Sequence, residues 1–340
     1  MTVRFSVLGD GAWGTAIAIL LAQNADHHVS LWSRFEANAR IIREKRENVF
    51  LLPGVPVPDS IQLTTDPTLA VSDVDFIVSA IPTVYLRETL ALFHDCIAKR
   101  TPIVSLTKGI EMETFRRPSE IIRDVLGCER VMILSGPSHA EEVARGMPTS
   151  LVVAGEESQL LEEVQQRFTT DRFRIYTNPD AVGVELAGAL KNVIGIAAGI
   201  SDGLGFGDNA KSALLTRGLV EMIKFGVAYG ARASTFTGLA GFGDLITTCI
   251  SQHGRNRNLG EKLGRGETLC RILADSKKVV EGVGTSRSVH FRSQEFGLEL
   301  PIMNGVYQVL FEEKPPLIAV RDLMLRPLSS EQIYFEEWPK

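Results

Sequence analysis

Spacing suited to metal or redox chemistry is what this chain most plainly lacks. Its four cysteines, Cys96, Cys128, Cys249 and Cys270, are scattered without a C-x-x-C pair, and none of the six histidines stands at ligand spacing. That argues against a disulfide framework or a zinc centre, leaves metal ligands at none, and fits small buried thiols in a reducing compartment. A basic surplus is absent too. Lys and Arg number 36 against 41 Asp and Glu, the net charge is −5, and no block of like charge forms a tail, so nucleic acid is not an expected partner. No G-x-S-x-G nucleophile elbow supports a Ser–His–Asp hydrolase, and neither internal repeats nor low-complexity segments occur. The strand pattern starts by Val3, leaving no room for a basic and apolar leader, so a cytoplasmic protein is expected.

A clean membrane span is also missing. The longest apolar stretch, Ala181 to Ile200, is interrupted by Glu185, Lys191 and Asn192. Ionised Glu and Lys near a bilayer centre each cost about 2.5–3.5 kcal/mol, so the stretch reads as a buried helix of a soluble protein. At helical spacing from Lys191 stand Ala187, Gly188, Gly195 and Ala198, a small and open face around the ammonium. Such a lysine either packs its stem and snorkels, or pairs with a distant carboxylate, or serves chemistry.

What is present is a chain 44% hydrophobic and 23% charged, of a length for two domains. Val3, Phe5 and Val7 alternate with polar residues and run into Gly9-Asp10-Gly11-Ala12-Trp13-Gly14 ahead of a small, apolar helical segment. Strand, glycine turn, helix is the dinucleotide fingerprint: one glycine for the turn, one for backbone approach to pyrophosphate, one for helix-on-strand packing. The helix N-terminus then offers free N–H groups to phosphate. At the end of the second strand, His28 to Trp32, an NAD-binding acid is replaced by Ser33 and Arg34. A guanidinium suits a 2′-phosphate, which favours NADP or dual use, with Glu36 a counter-argument.

Further strands are expected at Ile61–Thr65, Asp75–Ala80, Pro102–Thr107, Val131–Ser135, Thr149–Ala154 and Arg172–Tyr176, separated by helical patterns, with Leu51 to Pro58 an extended proline-rich loop. The alternation implies an α/β class: a Rossmann-like, mostly parallel, doubly wound sheet. Strand ends form the crevice, which singles out Lys108, Gly136, Ser138 and the helix start near Ala140. After Asn178-Pro179 the pattern turns to long helices, so an NAD(P)-binding domain over 1–178 and an all-α substrate-binding domain over 179–340 are expected. There the glycines before Asp244 present that carboxylate, and Arg255-Asn256 has phosphate-suited geometry.

Taken together the motifs resemble the bacterial type of the NAD(P)-dependent glycerol-3-phosphate dehydrogenase family, from about Val3 to Leu325. The resemblance is carried by Gly9-x-Gly11-x-Trp13-Gly14-Thr15, Thr107-Lys108-Gly109, Gly136-Pro137-Ser138, Glu185-x-x-x-x-Leu190-Lys191-Asn192, Thr216-Arg217-Gly218, Gly241-x-Gly243-Asp244-Leu245, Arg255-Asn256 and Val280-Glu281-Gly282. It implies reversible hydride transfer between a nicotinamide and C2 of dihydroxyacetone phosphate, giving sn-glycerol 3-phosphate for glycerophospholipid biosynthesis. By resemblance Lys191 is the proton donor, with Lys108 and Asp244 beside it. Gly136, Ser138, Asn192, Thr248, Arg255 and Asn256 are implied substrate contacts. Gly9, Gly11, Ala12, Trp13, Gly14, Arg34, Lys108, Ala140, Arg255, Val279 and Glu281 are implied at the cofactor. Gly254 and Phe242 depart from the serine and leucine usual in the family.

An ammonium beside a ketone oxygen stabilises its developing charge and delivers the proton. Desolvation and the Lys108 charge should depress the Lys191 pKa while Asp244 opposes them. Rival readings are another two-domain hydroxyacid or ketopantoate-type reductase, and a non-catalytic NAD(P) sensor. A homodimer is the default assembly.

Overall fold

The computed structural model describes residues 2–275, 279–328 and 330–331. Among the described residues ten strands form: β1 (Val3–Leu8), β2 (His27–Trp32), β3 (Glu47–Asn48), β4 (Leu52–Pro56), β5 (Gln62–Thr64), β6 (Phe76–Ser79), β7 (Ile103–Ser105), β8 (Val131–Ser135), β9 (Thr149–Ala154) and β10 (Phe173–Asn178). The helices interleaved with them are α1 (Ala12–Leu21), α2 (Glu36–Lys45), α3 (Pro67–Val71), α4 (Thr83–Ala91), α5 (Pro118–Leu126), α6 (Ala140–Ala144) and α7 (Ser158–Phe168). After β10 the described chain is helical: α8 (Ala181–Gly203), α9 (Asp208–Ala228), α10 (Ala233–Phe236), α11 (Asp244–Ile250), α12 (Arg255–Gly264), α13 (Leu269–Ala274), α14 (Glu281–Glu295), α15 (Pro301–Phe311) and α16 (Pro316–Met324).

The chain divides into two compact units, Met1–Thr107 with Pro118–Ala181, and Lys108–Arg117 with Val182–Lys340. In the first, eight strands lie in the order β10-β9-β8-β7-β6-β1-β2-β5. Neighbours are parallel except β8 and β9. Because crossover helices cover both faces, β6 and β8 are buried along their whole length. Phe5, Val7 and Val78 face one core with Ile17 of α1 and Leu161 of α7. Leu8 and Ile77 face the other with Leu86 of α4 and Ile121 of α5. Each such large side chain contributes about 1.5–3 kcal/mol on burial.

In the second unit α8 is long and apolar enough to cross a membrane by composition alone, yet 83% of its most apolar window is buried inside the protein. Its small residues let another helix approach. A Cβ on Gly199 would strike the Arg257 carbonyl and one on Gly203 the Glu261 carbonyl; a Cβ on Gly260 would strike the Ile196 carbonyl. Backbone therefore meets backbone between α8 and α12.

Two details differ from the sequence reading. Leu51 to Pro58 is not only a loop, since β4 pairs antiparallel with β3; an isolated two-stranded ribbon tolerates the prolines because its edges need no donors. Finally, Lys108–Arg117 groups with the helical unit instead of lying within 1–178, because its polar anchors are on helices of that unit.

Candidate active site

The glycine turn is built as its spacing implies. Gly9 has φ +110, a conformation that favours glycine. A Cβ on Gly14 would strike the Gly9 carbonyl and come 3.0 Å from Ala80 Cβ, whereas Gly11 has nothing within 4 Å. No side chain caps the N-terminus of α1. Asn48 Nδ2 donates to the Asp10 carbonyl (2.8 Å) and to Thr15 Oγ1 (2.9 Å). The Asp10 carboxylate accepts from Ser33 Oγ (2.7 Å) and Asn38 Nδ2 (2.8 Å). Ser33, where a ribose-binding acid would stand, thus fastens the turn to the end of β2. Arg34 donates to Glu88 Oε1 (2.6 Å) and to Thr89 Oγ1 (3.2 Å) at the end of α4.

A dinucleotide fits these residues. Gly11 leaves open space at an uncapped helix start, and among the described residues the indole N–H of Trp13 is buried without a hydrogen-bond partner. A buried orphan donor costs about 1–3 kcal/mol, a penalty that a bound polar group would relieve. Gly136 has φ +135, and a Cβ there would lie 2.7 Å from Leu151 Cδ2, so this glycine is required by packing against β9. Ser138 Oγ donates to the Gly136 carbonyl (3.0 Å), and Ala140 opens α6.

In the second unit the two lysines converge on one carboxylate. Lys191 Nζ donates to Asp244 Oδ1 (2.6 Å) and Thr248 Oγ1 (2.6 Å), while Lys108 Nζ donates to Asp244 Oδ2 (2.7 Å). The Asp244 side chain is 2% exposed, Lys191 9% and Lys108 18%. A π-helical turn, Leu239–Gly243, delivers Asp244 to the first turn of α11, one turn before Thr248. Burial lowers the Lys191 pKa, the Asp244 charge opposes that, and the Lys108 charge adds to it, with a net value of about 8. Burial pushes the adjacent Cys249 thiol up to about 12, leaving it unreactive.

An amide relay surrounds this cluster. Asn192 Nδ2 donates to the carbonyls of Lys108 (3.2 Å) and Gly188 (3.4 Å). Asn256 Nδ2 donates to Asn192 Oδ1 (2.9 Å), and Asn256 Oδ1 accepts from Gly282 N (2.9 Å). Arg255, at the first turn of α12, donates to the Val279 carbonyl (2.8 Å), beside Glu281 at the start of α14. Arg257 turns away to Asp202 (2.7 Å). No side chain caps α12, so its N-terminus offers backbone donors to an anion.

Lys108, Lys191, Asn192, Asp244, Thr248 and Asn256 therefore belong to one hydrogen-bonded set, with Arg255 next to Asn256 in the chain. Gly9, Gly11, Ala12, Trp13, Gly14 and Arg34 lie about the glycine turn of the other unit. The small face of α8 beside Lys191 is met by neighbouring helices. A Cβ on Gly195 would come 2.7 Å from Thr248 Cγ2 and 3.4 Å from Asn256 Cβ, so α11 and α12 occupy much of that space. The sequence reading also left Glu185 without a partner. It is buried against Arg117 (2.8 Å). A carboxylate inside an apolar helix demands a cation, but nothing in the spacing picks Arg117 from 36 basic residues.

Comparison with known proteins agrees with this layout. The chain matches the N-terminal part of NAD-dependent glycerol-3-phosphate dehydrogenase over residues 4–161 and its C-terminal part over residues 180–321. A glycerol-3-phosphate dehydrogenase (NAD(P)+) of Chlorobium phaeobacteroides is 47% identical over 335 residues, covering 98% of this chain and 100% of its own. That of Geobacillus kaustophilus is 46% identical, covering 96% of each. A crystal structure of glycerol-3-phosphate dehydrogenase from Coxiella burnetii matches with TM-score 0.91 at 35% identity, over 96% of this chain and 99% of that one. A ketopantoate reductase from Ralstonia eutropha, at TM-score 0.63 and 15% identity over 94% and 100% of the two chains, shares the fold alone.

Proposed function

The chain belongs to the NAD-dependent glycerol-3-phosphate dehydrogenase family, and from that premise we propose how it acts on dihydroxyacetone phosphate and sn-glycerol 3-phosphate. A bound NADPH or NADH supplies the hydride that C2 of the ketone receives, and NAD(P)+ takes it back in reverse. Lys191 holds the proton exchanged at the C2 oxygen. The observation that carries this reading is the single buried carboxylate of Asp244 shared by two ammoniums. A ketone accepting hydride develops negative charge on oxygen, which a desolvated ammonium stabilises and then neutralises. With a pKa of about 8, Lys191 is protonated at neutral pH and gives up its proton readily. Asp244 orients both lysines, and Lys108 supplies a second positive charge.

The substrate phosphate is assigned to Arg255 and the uncapped N-terminus of α12. Asn256 and Asn192 spend most of their capacity on the relay, so their part is to hold Lys108 and α14 in place. Gly136 shapes the chain near Ser138 through its close packing against β9. On the nucleotide side, Gly11 and Trp13 receive the pyrophosphate and Arg34 the 2′-phosphate, which favours NADP. Glu281 and Val279 belong to the cofactor end of the relay.

A cytoplasmic enzyme making a phospholipid precursor is supported by four free thiols. A homodimer, the commonest closed assembly, would show in light scattering as twice 37.3 kDa. A sensor that only binds the nucleotide has no use for paired ammoniums on a buried acid. The decisive assay follows NADPH oxidation with dihydroxyacetone phosphate beside unphosphorylated dihydroxyacetone. Turnover with the ester and a kcat/KM lower by orders of magnitude without the phosphate is expected; equal rates, or none with the ester, would overturn the reading.

A further inference from the structure

We propose that the buried ion pair of Arg117 and Glu185 is a positioning device for catalysis, clamping the excursion Lys108–Arg117 onto α8 so that Lys108 stays beside Lys191. It rests on the roles given above to those two lysines. Glu185 is 1% exposed and Arg117 15%, with Nη1 to Oε2 at 2.8 Å.

Three anchors hold the excursion. At its start Asn192 of α8 donates to the Lys108 carbonyl. In its middle Ser288 of α14 donates to the Glu111 carbonyl (3.4 Å), and the Arg292 guanidinium lies 4.6 Å from the Phe115 ring centre. At its end Arg117 reaches Glu185 of α8. Residues 185 and 192 are seven apart, two helical turns along one stripe and about 10 Å in rise. One face of α8 therefore grips both ends, and Lys191 sits next to the first grip. The segment between is stiff: Glu111 N donates to the Arg116 carbonyl (3.0 Å) and Phe115 N to the Glu111 carbonyl (2.9 Å). A displacement at residue 117 is thus passed back towards Lys108 rather than absorbed.

The charged and titratable groups facing Lys191 are Asp244 and Cys249 of α11 and Lys108 of the excursion. The Lys108 ammonium helps depress the Lys191 pKa. If the clamp is released and Lys108 drifts, Lys191 should titrate higher, and the alkaline limb of ketone reduction should move up in pH. A pair that serves stability alone would not move that limb.

The test uses the full-length enzyme with Lys108→Met, Arg117→Lys, and the double Arg117→Met/Glu185→Leu. The double removes both charges of this pair together, whereas a single truncation strands one of them, so the double should fold even where a single does not. The expected result is that Lys108→Met and the double both shift the limb upward, with kcat in the double down about tenfold, a barrier change of 1.36 kcal/mol. Arg117→Lys should retain most of kcat and the wild-type limb. If Lys108→Met shifts the limb but a folded double does not, the clamp is overturned while the lysine assignment stands. If Lys108→Met leaves the limb in place, the reading of Lys108 fails and the proposal with it.

Discussion

The glycine turn of the first unit and the lysine cluster of the second are built on opposite principles. The turn is made of backbone and of side chains that are missing: Gly9 bends, Gly14 lets the helix close on the strand, and Gly11 leaves space. Among the described residues its buried Trp13 N–H has no hydrogen-bond partner. The cluster is made of charge and already satisfies itself, two ammoniums on one acid with a hydroxyl beside them. A site of the first kind gains hydrogen bonds when its ligand arrives. A site of the second kind must exchange bonds it already has, and its substrate competes with Asp244 for the lysines. On the proposed reading the first governs affinity, and the second governs the reactive proton.

The strongest break of that contrast is Lys191→Met. It should lower kcat for reduction by about a thousandfold, within the range for a lost general acid, while the dissociation constant for NADPH measured by fluorescence stays within a few-fold. Loss of NADPH binding of similar size would merge the two sites into one. Next comes Asp244→Asn. With the carboxylate neutralised, burial and Lys108 act on Lys191 unopposed, so its pKa falls further below about 8. Reduction needs the protonated amine, so activity is present below that pKa and is lost as pH rises through it. The alkaline limb should move to lower pH, with kcat at pH 7 down roughly 10- to 100-fold. A limb that moves upward would reverse the assigned role of Asp244.

The same contrast decides what could be read from the amino-acid sequence. Gly9, Gly11 and Gly14 act through local geometry, so their spacing after an alternating strand was sufficient to read the strand, tight turn and helix that the structure has there. The alternating strands and helices likewise implied the mostly parallel sheet. Lys108, Lys191 and Asp244 are 53 to 136 residues apart where they bond. No periodicity joins such positions, and only the resemblance to a family put them together. Where neither spacing nor resemblance spoke, the structure supplied the answer. Glu185 needed a cation that proved to be Arg117, and the small face of α8 was spent on close packing with α11 and α12.

Within the turn, the glycines separate packing from binding. A Cβ at position 11 meets nothing within 4 Å, so Gly11→Ala should melt near wild type but weaken NADPH binding roughly 10- to 100-fold by obstructing the pyrophosphate. Gly14→Ala, which drives a methyl into the Gly9 carbonyl, should lower the melting temperature itself. If both variants merely destabilise, the open space at Gly11 is not the phosphate path. Arg34→Ala is a smaller step. It removes a charge-assisted contact of about 1.5–3 kcal/mol, partly offset because Arg34 is already engaged by Glu88. The KM for NADPH should rise about tenfold and that for NADH hardly change; equal rises would end the argument for NADP.

The smallest effect sharpens the comparison most, because it joins the uncapped start of α12 to the lysine cluster inside one unit. Gly254 caps α12 without a side chain, and a Cβ there would lie 2.8 Å from the Thr248 carbonyl and 3.2 Å from that of Ser251. Gly254→Ser adds a hydroxyl at a helix N-cap, a change that ordinarily stabilises. Here the methylene must first push back the residue whose Oγ1 accepts from Lys191. Backbone yields less readily than the end of a side chain, so the two effects oppose. The push should prevail for catalysis and the hydroxyl for binding: kcat falls about fivefold, near 1 kcal/mol, while the KM for dihydroxyacetone phosphate drops or stays level. An unchanged kcat would mean that the Thr248 carbonyl moves freely, and that the lysine cluster is held by its own charges rather than by the helices packed around it.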